Sequence, residues 1–314
     1  MSRSNGKPMK VLSLYCGCGG MDWGFETNKS FEVRAAFDMM PYAVECYNMN
    51  FANKAQVMDV SRLLHEDFDL GFQPDVILGG PPCQDFSRAG NRTLGERANQ
   101  TFVYCDIVCK HLPKFFVMEN VQCIESTGRT IFEEVKRRFK EHGYGLTISK
   151  VKMWEYGVPQ KRIRLIVVGR LGGKDDELKQ NIDDAKSPIS SMREYLDKNP
   201  QPHLELNGKD FVYFHPRSFS SQSVFSLDSL APTQRTVLGP LRKQHTFSVR
   251  DATHERELIH PVSHYRLASA VQAFPCDWKF PTNHISKNAK IIGNAVPPLF
   301  STKIAKILST FIPN

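Results

Sequence analysis

The sequence has no long apolar run and no apolar core close to its first residue. No stretch approaches the ~20 consecutive apolar residues that a helix needs to cross a bilayer. The chain begins with the polar, basic segment MSRSNGKPMK. We therefore expect neither a membrane-spanning helix nor a secretory signal peptide, and no membrane among the partners.

Paired cysteine motifs are also missing. The eight cysteines are scattered along the chain, and none forms the C-x-x-C knuckle that is typical of zinc sites. Disulfide frameworks belong mainly to small secreted domains, so these thiols favour a reducing compartment. We predict free cysteines, no metal site and a cytoplasmic location.

The glycine fingerprint of dinucleotide-binding proteins is incomplete. Gly17 and Gly19 have the spacing of its first two glycines, but Asp22 stands where the third would be. This departure argues against an NAD-dependent oxidoreductase. Internal repeats and low-complexity tracts are absent as well.

Length and charge set the remaining bounds. A chain of 314 residues, of which 41% are hydrophobic, is enough for one large domain, or one large and one small domain, with a substantial core. The formal net charge of +8 favours a polyanionic partner such as nucleic acid. That inference is weak by itself, because many basic proteins bind no nucleic acid.

The N-terminal segment alternates strand, loop and helix signals. Residues 10–15 (KVLSLY) predict a first strand, a GCGG loop follows, and a helix is expected from Met21; residues 32–37 and 56–60 predict two more strands. A glycine loop between a strand and a helix brings backbone donors close to a ligand. This order is typical of a nucleotide-binding α/β domain.

Two aspartates stand at the ends of these strands. Asp38 follows the second strand, 21 residues after Gly17, which suits a carboxylate that binds ribose hydroxyls. The alternative is a helix N-cap before residues 42–50, and Asp38 could serve as both. Asp59 lies at the edge of the third strand. Together they indicate a nucleoside pocket without a pyrophosphate site, which favours S-adenosylmethionine over NAD.

Cys83 is the first residue after an abrupt strand end. Residues 74–78 (PDVIL) are typical of a buried parallel strand, which two glycines and two prolines then terminate. Open α/β sheets place their chemistry just beyond the carboxyl ends of strands. A buried cysteine beside a turn is the alternative interpretation, but the unusual Pro-Pro-Cys-Gln sequence, followed by a polar loop over 84–92, favours a nucleophile.

Glu119 directly follows another apolar run. Residues 114–118 (KFFVM) predict a buried strand on the same sheet, so this carboxyl group is expected at the same sheet edge as Cys83. Most glutamates are solvated surface charges, and this position is poorly explained that way. Residues 130–142 predict a basic amphipathic helix, and residues 160–169 (QKRIRLIVVG) place basic side chains before a further strand.

The composition changes after Arg170. Strand and helix signals become short and ambiguous until about Tyr265, and aromatic and basic residues interleave between Phe211 and Arg250. We interpret this segment as a smaller, loop-rich domain, although an ordinary insertion with its own minor core explains these residues equally well. Beyond it we predict a helix over 265–274, a turn over 290–298 (KIIGNAVPP) and a last amphipathic helix over 299–311.

These segments resemble the cytosine-specific C5 DNA methyltransferases over nearly the whole chain. The match is carried, in the family's order, by LSLYCGCGGMDWGFE, GGPPCQDFSRAG, FFVMENV, QKRIRLIVVG and IIGNAVPP. The resemblance implies an α/β, Rossmann-like methyltransferase fold with a mostly parallel sheet, plus a smaller loop-rich target-recognition domain. The implied boundaries are 1–170 with 282–314 for the catalytic domain and 171–281 for the recognition domain.

The resemblance also implies roles for particular residues. Cys83 is similar to the family's nucleophile, Glu119 to the residue that engages the cytosine ring, and Arg162 and Arg164 to the arginines that contact the target base and a nearby phosphate. The cofactor-binding positions that it implies are Tyr15, Gly17, Gly19, Asp38, Met39, Asp59, Val60, Pro81 and Asn294. The DNA-binding positions of the closing loop are Gln84, Ser87 and Arg88.

The activity that follows from this resemblance is methyl transfer from S-adenosylmethionine to C5 of a flipped-out cytosine in a specific duplex DNA sequence. A covalent bond between Cys83 and C6 is implied, with S-adenosylhomocysteine as product and no metal. The expected protein is a monomeric prokaryotic or phage modification enzyme that associates with double-stranded DNA at the nucleoid. A cognate restriction endonuclease would act separately.

Four positions depart from the family pattern. Ser13 stands where the family often has aspartate, and Met39 where it has an aromatic residue beside the ribose carboxylate. Leu267 and Ala270 replace a glutamate and an arginine that help to hold the recognition domain. Two alternatives stay open: a tRNA cytosine methyltransferase from one branch of the family, and a binding module that keeps the fold without catalysis.

Overall fold

The computed structural model describes residues 7–82, 99–204, 206–216, 221–239, 241–260, 265–281 and 284–312. The chain divides into two compact units. The first comprises Met1–Val151, Ile163–Ala185 and Ser301–Asn314, and the second comprises Lys152–Arg162 and Lys186–Phe300. The domain boundaries implied by the resemblance stay a prediction.

The strands of the described residues are numbered in chain order. They are β1 Met9–Leu14, β2 Phe31–Asp38, β3 Ala55–Val57, β4 Val76–Gly79, β5 Phe115–Val121, β6 Tyr144–Lys152, β7 Gln160–Lys161, β8 Ile163–Leu171, β9 Phe211–Tyr213, β10 Val224–Ser226, β11 Ala231–Pro232 and β12 Ile259–His260. The helices are α1 Asp22–Glu26, α2 Pro41–Asn50, α3 Asn99–His111, α4 Arg129–Glu141, α5 Lys179–Asp184, α6 Met192–Lys198, α7 Tyr265–Val271, α8 Ile285–Asn294 and α9 Pro298–Ser309.

A seven-stranded sheet with the order β3-β2-β1-β4-β5-β8-β6 organises the first unit. The pairs β3–β2, β2–β1, β1–β4 and β4–β5 are parallel, and β5–β8 is antiparallel. A mostly parallel sheet needs cover on both faces, which explains why its strands are apolar runs rather than alternating ones. The predicted α/β class is confirmed.

The core of this unit lies between the central strands and helices α3 and α4. Ile77 of β4 and Phe116 of β5 are fully buried and belong to one hydrophobic cluster with Val108 and Phe139 of those helices. The hydroxyl group of Tyr104 donates hydrogen bonds to the carbonyl oxygens of Ile77, at 3.2 Å, and Val117, at 3.1 Å. Burial of this kind stabilises each large side chain by about 1.5–3 kcal/mol relative to exposure.

The second unit has short strands and long connections. A three-stranded sheet has the order β10-β9-β12, and β7 pairs with β11. Its own small core includes Met192, Val212, Phe214, Leu227 and Val271. The loop-rich character expected after Arg170 is therefore present, together with a minor core.

Three local predictions need correction. Residues 290–294 belong to α8 and not to a turn, because Ala289, Ile291 and Ile292 are buried and hold the helix despite its Gly-Asn ending. The third strand ends at Val57, and Val60 begins a short 3-10 helix. Glu119 lies within β5, not after it, because β8 pairs with that strand as far as Val121.

No helix among the described residues combines the length and the apolar content that crossing a membrane requires.

Candidate active site

The predicted residues of the first unit gather where its parallel strands end. Tyr15 follows β1, Asp38 ends β2, Asp59 comes shortly after β3 and Pro81 shortly after β4. Because β1 to β5 all run in the same direction, their carboxyl ends share one edge of the sheet. Glu119 lies two residues before the end of β5, at the same edge. This is the edge at which open α/β sheets bind their ligands.

Tyr15 anchors the loop after β1. Its φ of 53° is a left-handed conformation that side-chain-bearing residues rarely adopt. Its hydroxyl group donates to Gln100 of α3, with Oε1 at 2.9 Å and the carbonyl oxygen at 3.1 Å as alternative acceptors. Burial, and then the charge of Asp59, raise the pKa of this hydroxyl group far above its usual value, so it stays a donor.

Gly17 and Gly19 of this loop differ in what a side chain would meet at each position. Both have positive φ, 56° at Gly17 and 90° at Gly19. A Cβ at Gly19 would lie 2.2 Å from the Phe51 ring, so that glycine is required for packing. A Cβ at Gly17 would meet no atom of another described residue within 4 Å, its chain neighbours aside. Gly17 therefore leaves its backbone open to close approach by a ligand.

Asp38 joins two of the strand ends. One carboxylate oxygen accepts the N–H of Gly17 at 2.9 Å, and the other accepts the N–H of Met40 at 2.8 Å. The N-cap of α2 is Met40, and its side chain makes no capping hydrogen bond. The N-cap alternative for Asp38 is therefore wrong. A carboxylate accepts hydrogen bonds through both oxygens, which is the chemistry that binding of ligand hydroxyl groups requires.

The other predicted cofactor residues of this unit flank the same edge. The side chain of Asp59 accepts the N–H of Ser61 at 2.9 Å and so caps the short 3-10 helix that begins with the buried Val60. Met39 is 62% exposed. The carbonyl oxygen of Pro81 accepts a hydrogen bond from the Asn120 amide at 3.3 Å. Their assignment to the cofactor stays a prediction.

Asp22, at the start of α1, is a buried carboxyl group that the sequence interpretation did not assign. It is 0% exposed, and the Tyr47 hydroxyl group donates to its Oδ1 at 2.9 Å. Burial raises its pKa to about 7, while hydrogen bonds from Ser13 and Tyr47 act in the opposite direction. A buried carboxyl group thus lies beside Ser13, the position at which the family often has aspartate.

This carboxyl group should make folding pH-dependent. The pKa of Asp22 is higher in the folded chain than in the unfolded one, so protonation of this group stabilises the folded state. That stabilisation is complete below pH ~4 and is lost as the pH rises through ~7. Between pH 5 and pH 8 the wild-type free energy of unfolding is expected to fall by roughly 2–3 kcal/mol from this group, at ~1.4 kcal/mol per pKa unit. Urea unfolding at both pH values measures it.

Asp22→Asn is expected to remove that part of the pH dependence. Glu45→Gln on α2, which changes an exposed carboxyl group instead, is the matched control and should keep the wild-type difference. Equal differences between pH 5 and pH 8 in wild type and Asp22→Asn would show that the buried carboxyl group is not the source.

Glu119 forms an ion pair in this structure. Its Oε1 lies 2.8 Å from Nε of Arg164 on β8, and the two side chains are 10% and 15% exposed. The antiparallel pairing of β5 with β8 brings them together, since Glu119 lies opposite Ile166 and Val121 opposite Arg164. The pair lies beside the end of β4: a Cβ on Gly80 would be 3.4 Å from Oε2 of Glu119.

Arg162 has a different environment, in the second unit. It is 1% exposed, and its guanidinium group donates to the carbonyl oxygens of Gly293 and Ala295, both at 3.0 Å. These two carbonyl groups flank Asn294, which is exposed. The predicted contact of Arg162 with the target base stays a prediction, but in this structure its guanidinium group holds the backbone around Asn294.

Two buried glutamines extend this network, and the sequence interpretation missed both. Gln272 donates to the carbonyl oxygens of Ile292, at 2.7 Å, and Ala295, at 3.0 Å. Gln160 donates to Oε1 of Gln272 at 2.8 Å and accepts the N–H of Gln234 at 2.9 Å. Only Gln272 gave a signal in the sequence, as a polar residue within the apolar run AVQAF.

This network lies next to two of the positions that depart from the family pattern. Leu267 and Ala270, the positions that depart from the family, are each 1% exposed, and Leu267 packs in the small core. Apolar packing, with Gln272 bound to the end of α8, therefore holds this part of the second unit.

Cys83, Gln84, Ser87 and Arg88 lie outside the described residues. Among the residues that are described, no group of three or more His, Cys, Asp or Glu side chains could hold a metal ion.

A family model described as C-5 cytosine-specific DNA methylase matches residues 9–310. The chain belongs to this family. The recognition made on the five sequence blocks and the predicted enzyme class are therefore confirmed.

Two curated relatives of this family span nearly the same length. The Type II methyltransferase M.HindV of Haemophilus influenzae is 34% identical, over 98% of this chain and 97% of its own. The Type II methyltransferase M.HgiDI of Herpetosiphon aurantiacus is 31% identical, over 97% and 95%. Among solved structures, the S. pombe Dnmt2 methyltransferase superposes with a TM-score of 0.71 at 22% identity, covering 96% of this chain and 99% of its own, which supports the fold.

Proposed function

We propose that the protein transfers a methyl group from S-adenosylmethionine to C5 of a flipped-out cytosine in a specific duplex DNA sequence, through a bond between Cys83 Sγ and C6. The observation that supports this most strongly is the Glu119–Arg164 pair, nearly buried at the carboxyl edge of the sheet in a chain of this family. A carboxyl group with one oxygen on a guanidinium group still has hydrogen-bonding positions on both oxygens for a ligand.

The chemistry needs a nucleophile because C5 of cytosine is itself a poor one. Addition of a thiolate to C6 forms the Cys83–C6 bond and turns the ring into an enamine whose electron pair is available at C5. A model thiol has a pKa of ~8.5, so cationic neighbours that favour the thiolate of Cys83 would assist. Once C5 carries the transferred methyl group, a base takes the C5 proton, which expels the thiolate and restores the aromatic ring.

Glu119 would act on the other side of the ring. Addition at C6 builds negative charge at N3, and a proton held by Glu119 at that atom offsets this charge. The other oxygen accepts the exocyclic amino group, a donor that thymine lacks. Arg164 fixes the orientation of the carboxyl group through the ion pair, and its own position suits a contact with the base carbonyl oxygen.

The residues at the strand ends fit the proposed cofactor. Among the described residues, space is open where a Cβ on Gly17 would project, and two backbone N–H groups orient the carboxylate of Asp38. We assign Asp38 to the ribose hydroxyls, Asp59 and Val60 to the adenine, and Tyr15, Gly17, Gly19, Met39, Pro81 and Asn294 to the rest of the molecule. When bound, S-adenosylmethionine supplies an electrophilic methyl group.

Duplex DNA is the proposed macromolecular partner. The target carbon is unreachable in stacked DNA, so the base must be extruded at a cost of a few kcal/mol. We assign Gln84, Ser87 and Arg88 to contacts that close on the DNA around the extruded base. We further propose a cytoplasmic monomer, whose cognate endonuclease acts separately.

The test is transfer of labelled methyl from S-adenosylmethionine to duplex DNA, followed by bisulfite sequencing of DNA from cells that express the protein. We expect label in DNA at C5 of cytosines within one recurring sequence. Label in tRNA but not in DNA would replace the proposed substrate. No transfer together with no binding of S-adenosylmethionine would favour a binding module without catalysis.

A further inference from the structure

Val249 is the most exposed large apolar residue that the structure describes. It is 95% exposed, and the next most exposed is Met39 at 62%. Single apolar side chains on a surface are common and need no special explanation. The turn that carries Val249, however, is held by several hydrogen bonds and a ring contact.

One carboxylate braces the turn that carries Val249. Asp251 accepts the N–H groups of Ser248 at 2.8 Å, Ser223 at 2.6 Å and Val224 at 2.8 Å, and so ties the turn to β10. The N–H of Asp251 also donates to the carbonyl oxygen of Ser248 at 2.9 Å.

The same serine is held from the far side of the turn. Nε2 of His254 lies 3.0 Å from the carbonyl oxygen of Ser248, and the His254 ring stacks on Phe247 with 5.5 Å between centroids. Because the turn is already fixed in this way, binding through Val249 would cost little conformational entropy. Preorganised apolar tips are expected in binding elements.

The charges around the tip favour an anionic partner. Arg250 follows Val249 directly, and Arg242 and Lys243 lie in the same segment, all three exposed. The nearest acidic group, Asp251, is engaged by backbone N–H groups. Glu255 and Glu257 come after the turn in the chain.

From this arrangement we infer that residues 248–251 form a sequence-reading tip, which contacts duplex DNA through its grooves. Val249 packs on the methyl group of a thymine, the apolar feature that the major groove offers. Arg250 binds the adjacent backbone phosphate, which positions the tip but carries no sequence information. The inference rests on the proposed function, because it requires duplex DNA as the substrate.

The experiment replaces each thymine by uracil, one at a time, in and beside the sequence found by bisulfite mapping. For wild type, the replacement of one particular thymine by uracil is expected to lower kcat/KM about fourfold, because one methyl contact is lost. Val249→Ala should methylate the thymine and uracil duplexes at equal rates. Arg250→Gln should keep the thymine preference and lower the slope of log Kd against log salt by about one.

Ile285→Ala is the matched control, since Ile285 is an apolar residue of α8 that is 50% exposed. It should keep the thymine preference of wild type. A wild-type enzyme that is indifferent to every thymine-to-uracil exchange overturns the inference, as does a Val249→Ala variant with wild-type sensitivity. In both cases methylation of duplex DNA persists, which separates this failure from failure of the proposed function.

Discussion

Glu119→Gln is expected to lower kcat for DNA methylation by about 10²–10⁴-fold, the range found for loss of a positioned proton donor. Glutamine keeps the volume of the side chain, but its amide N–H is too weakly acidic to transfer a proton to N3, so the charge that develops on the ring is compensated much less. Arg164 would also lose its counter-charge. Single-turnover rates on a duplex that contains the mapped sequence measure the effect on the chemical step.

The matched control for this variant is Glu177→Gln. Glu177 pairs with Arg170, another arginine of β8, so the substitution removes a similar ion pair from the same unit. We expect Glu177→Gln to keep the wild-type rate within a few-fold. A Glu119→Gln variant that turns over as fast as this control would exclude Glu119 from the proton chemistry.

Binding should respond less than rate in the Glu119→Gln variant. Phosphate contacts provide most of the affinity of DNA-binding proteins, and Glu119 makes none. A parallel measurement of Kd for DNA therefore distinguishes a chemical role from a loss of folding. If affinity for DNA and rate fell together, the carboxyl group would be supporting the structure rather than the reaction.

The strands that form the candidate site could be predicted because a buried strand consists mainly of apolar residues, which are recognisable in the sequence. Residues 74–78 and 114–118 are short apolar runs, and a strand covered on both faces requires such runs. The end of the first strand then followed from the two glycines and two prolines after it. The order and direction of the strands in the sheet were harder to predict from the sequence. The extension of β5 by two residues past Glu119 depends on its pairing with β8, which local composition does not indicate.

The KIIGNAVPP segment shows where local signals fail. Gly, Asn and a Pro-Pro pair all predict a turn, yet residues through Asn294 are helical. Gly293 allows the close packing there, since a Cβ would lie 2.6 Å from backbone atoms of Arg235. That neighbour comes from a distant part of the chain, so composition within the segment could not indicate it.

Arg162 illustrates the same limit for the site. Its sequence context, two residues before Arg164, suggests a shared role in binding DNA. The structure separates them: Arg164 pairs with Glu119, whereas Arg162 binds carbonyl groups more than 130 positions away in the chain. Side chains of one type at close spacing in the chain can have different surroundings, and only the fold decides which.

Cys83→Ala is expected to reduce methylation by on the order of 10⁴-fold or more, as removal of a covalent nucleophile does in other enzymes. Cys276→Ala provides the control, because Cys276 is an exposed free thiol in the second unit and should be dispensable. The measurement is labelled-methyl transfer to duplex DNA by both variants and wild type.

A duplex with 5-fluorocytosine at the target position turns this loss into a test of the bond itself. Fluorine at C5 cannot leave as a proton does, so the elimination that frees the thiolate is blocked and the Cys83–C6 bond should persist. With S-adenosylmethionine present, wild type and Cys276→Ala should form a denaturation-resistant complex with this DNA, and Cys83→Ala should form none. A complex that survives in Cys83→Ala would place the nucleophile elsewhere. If wild type formed no such complex while it still methylated ordinary DNA, the ring would be activated without a covalent bond. Glu119 and Arg164 would then be the groups that must supply all of the activation of C5.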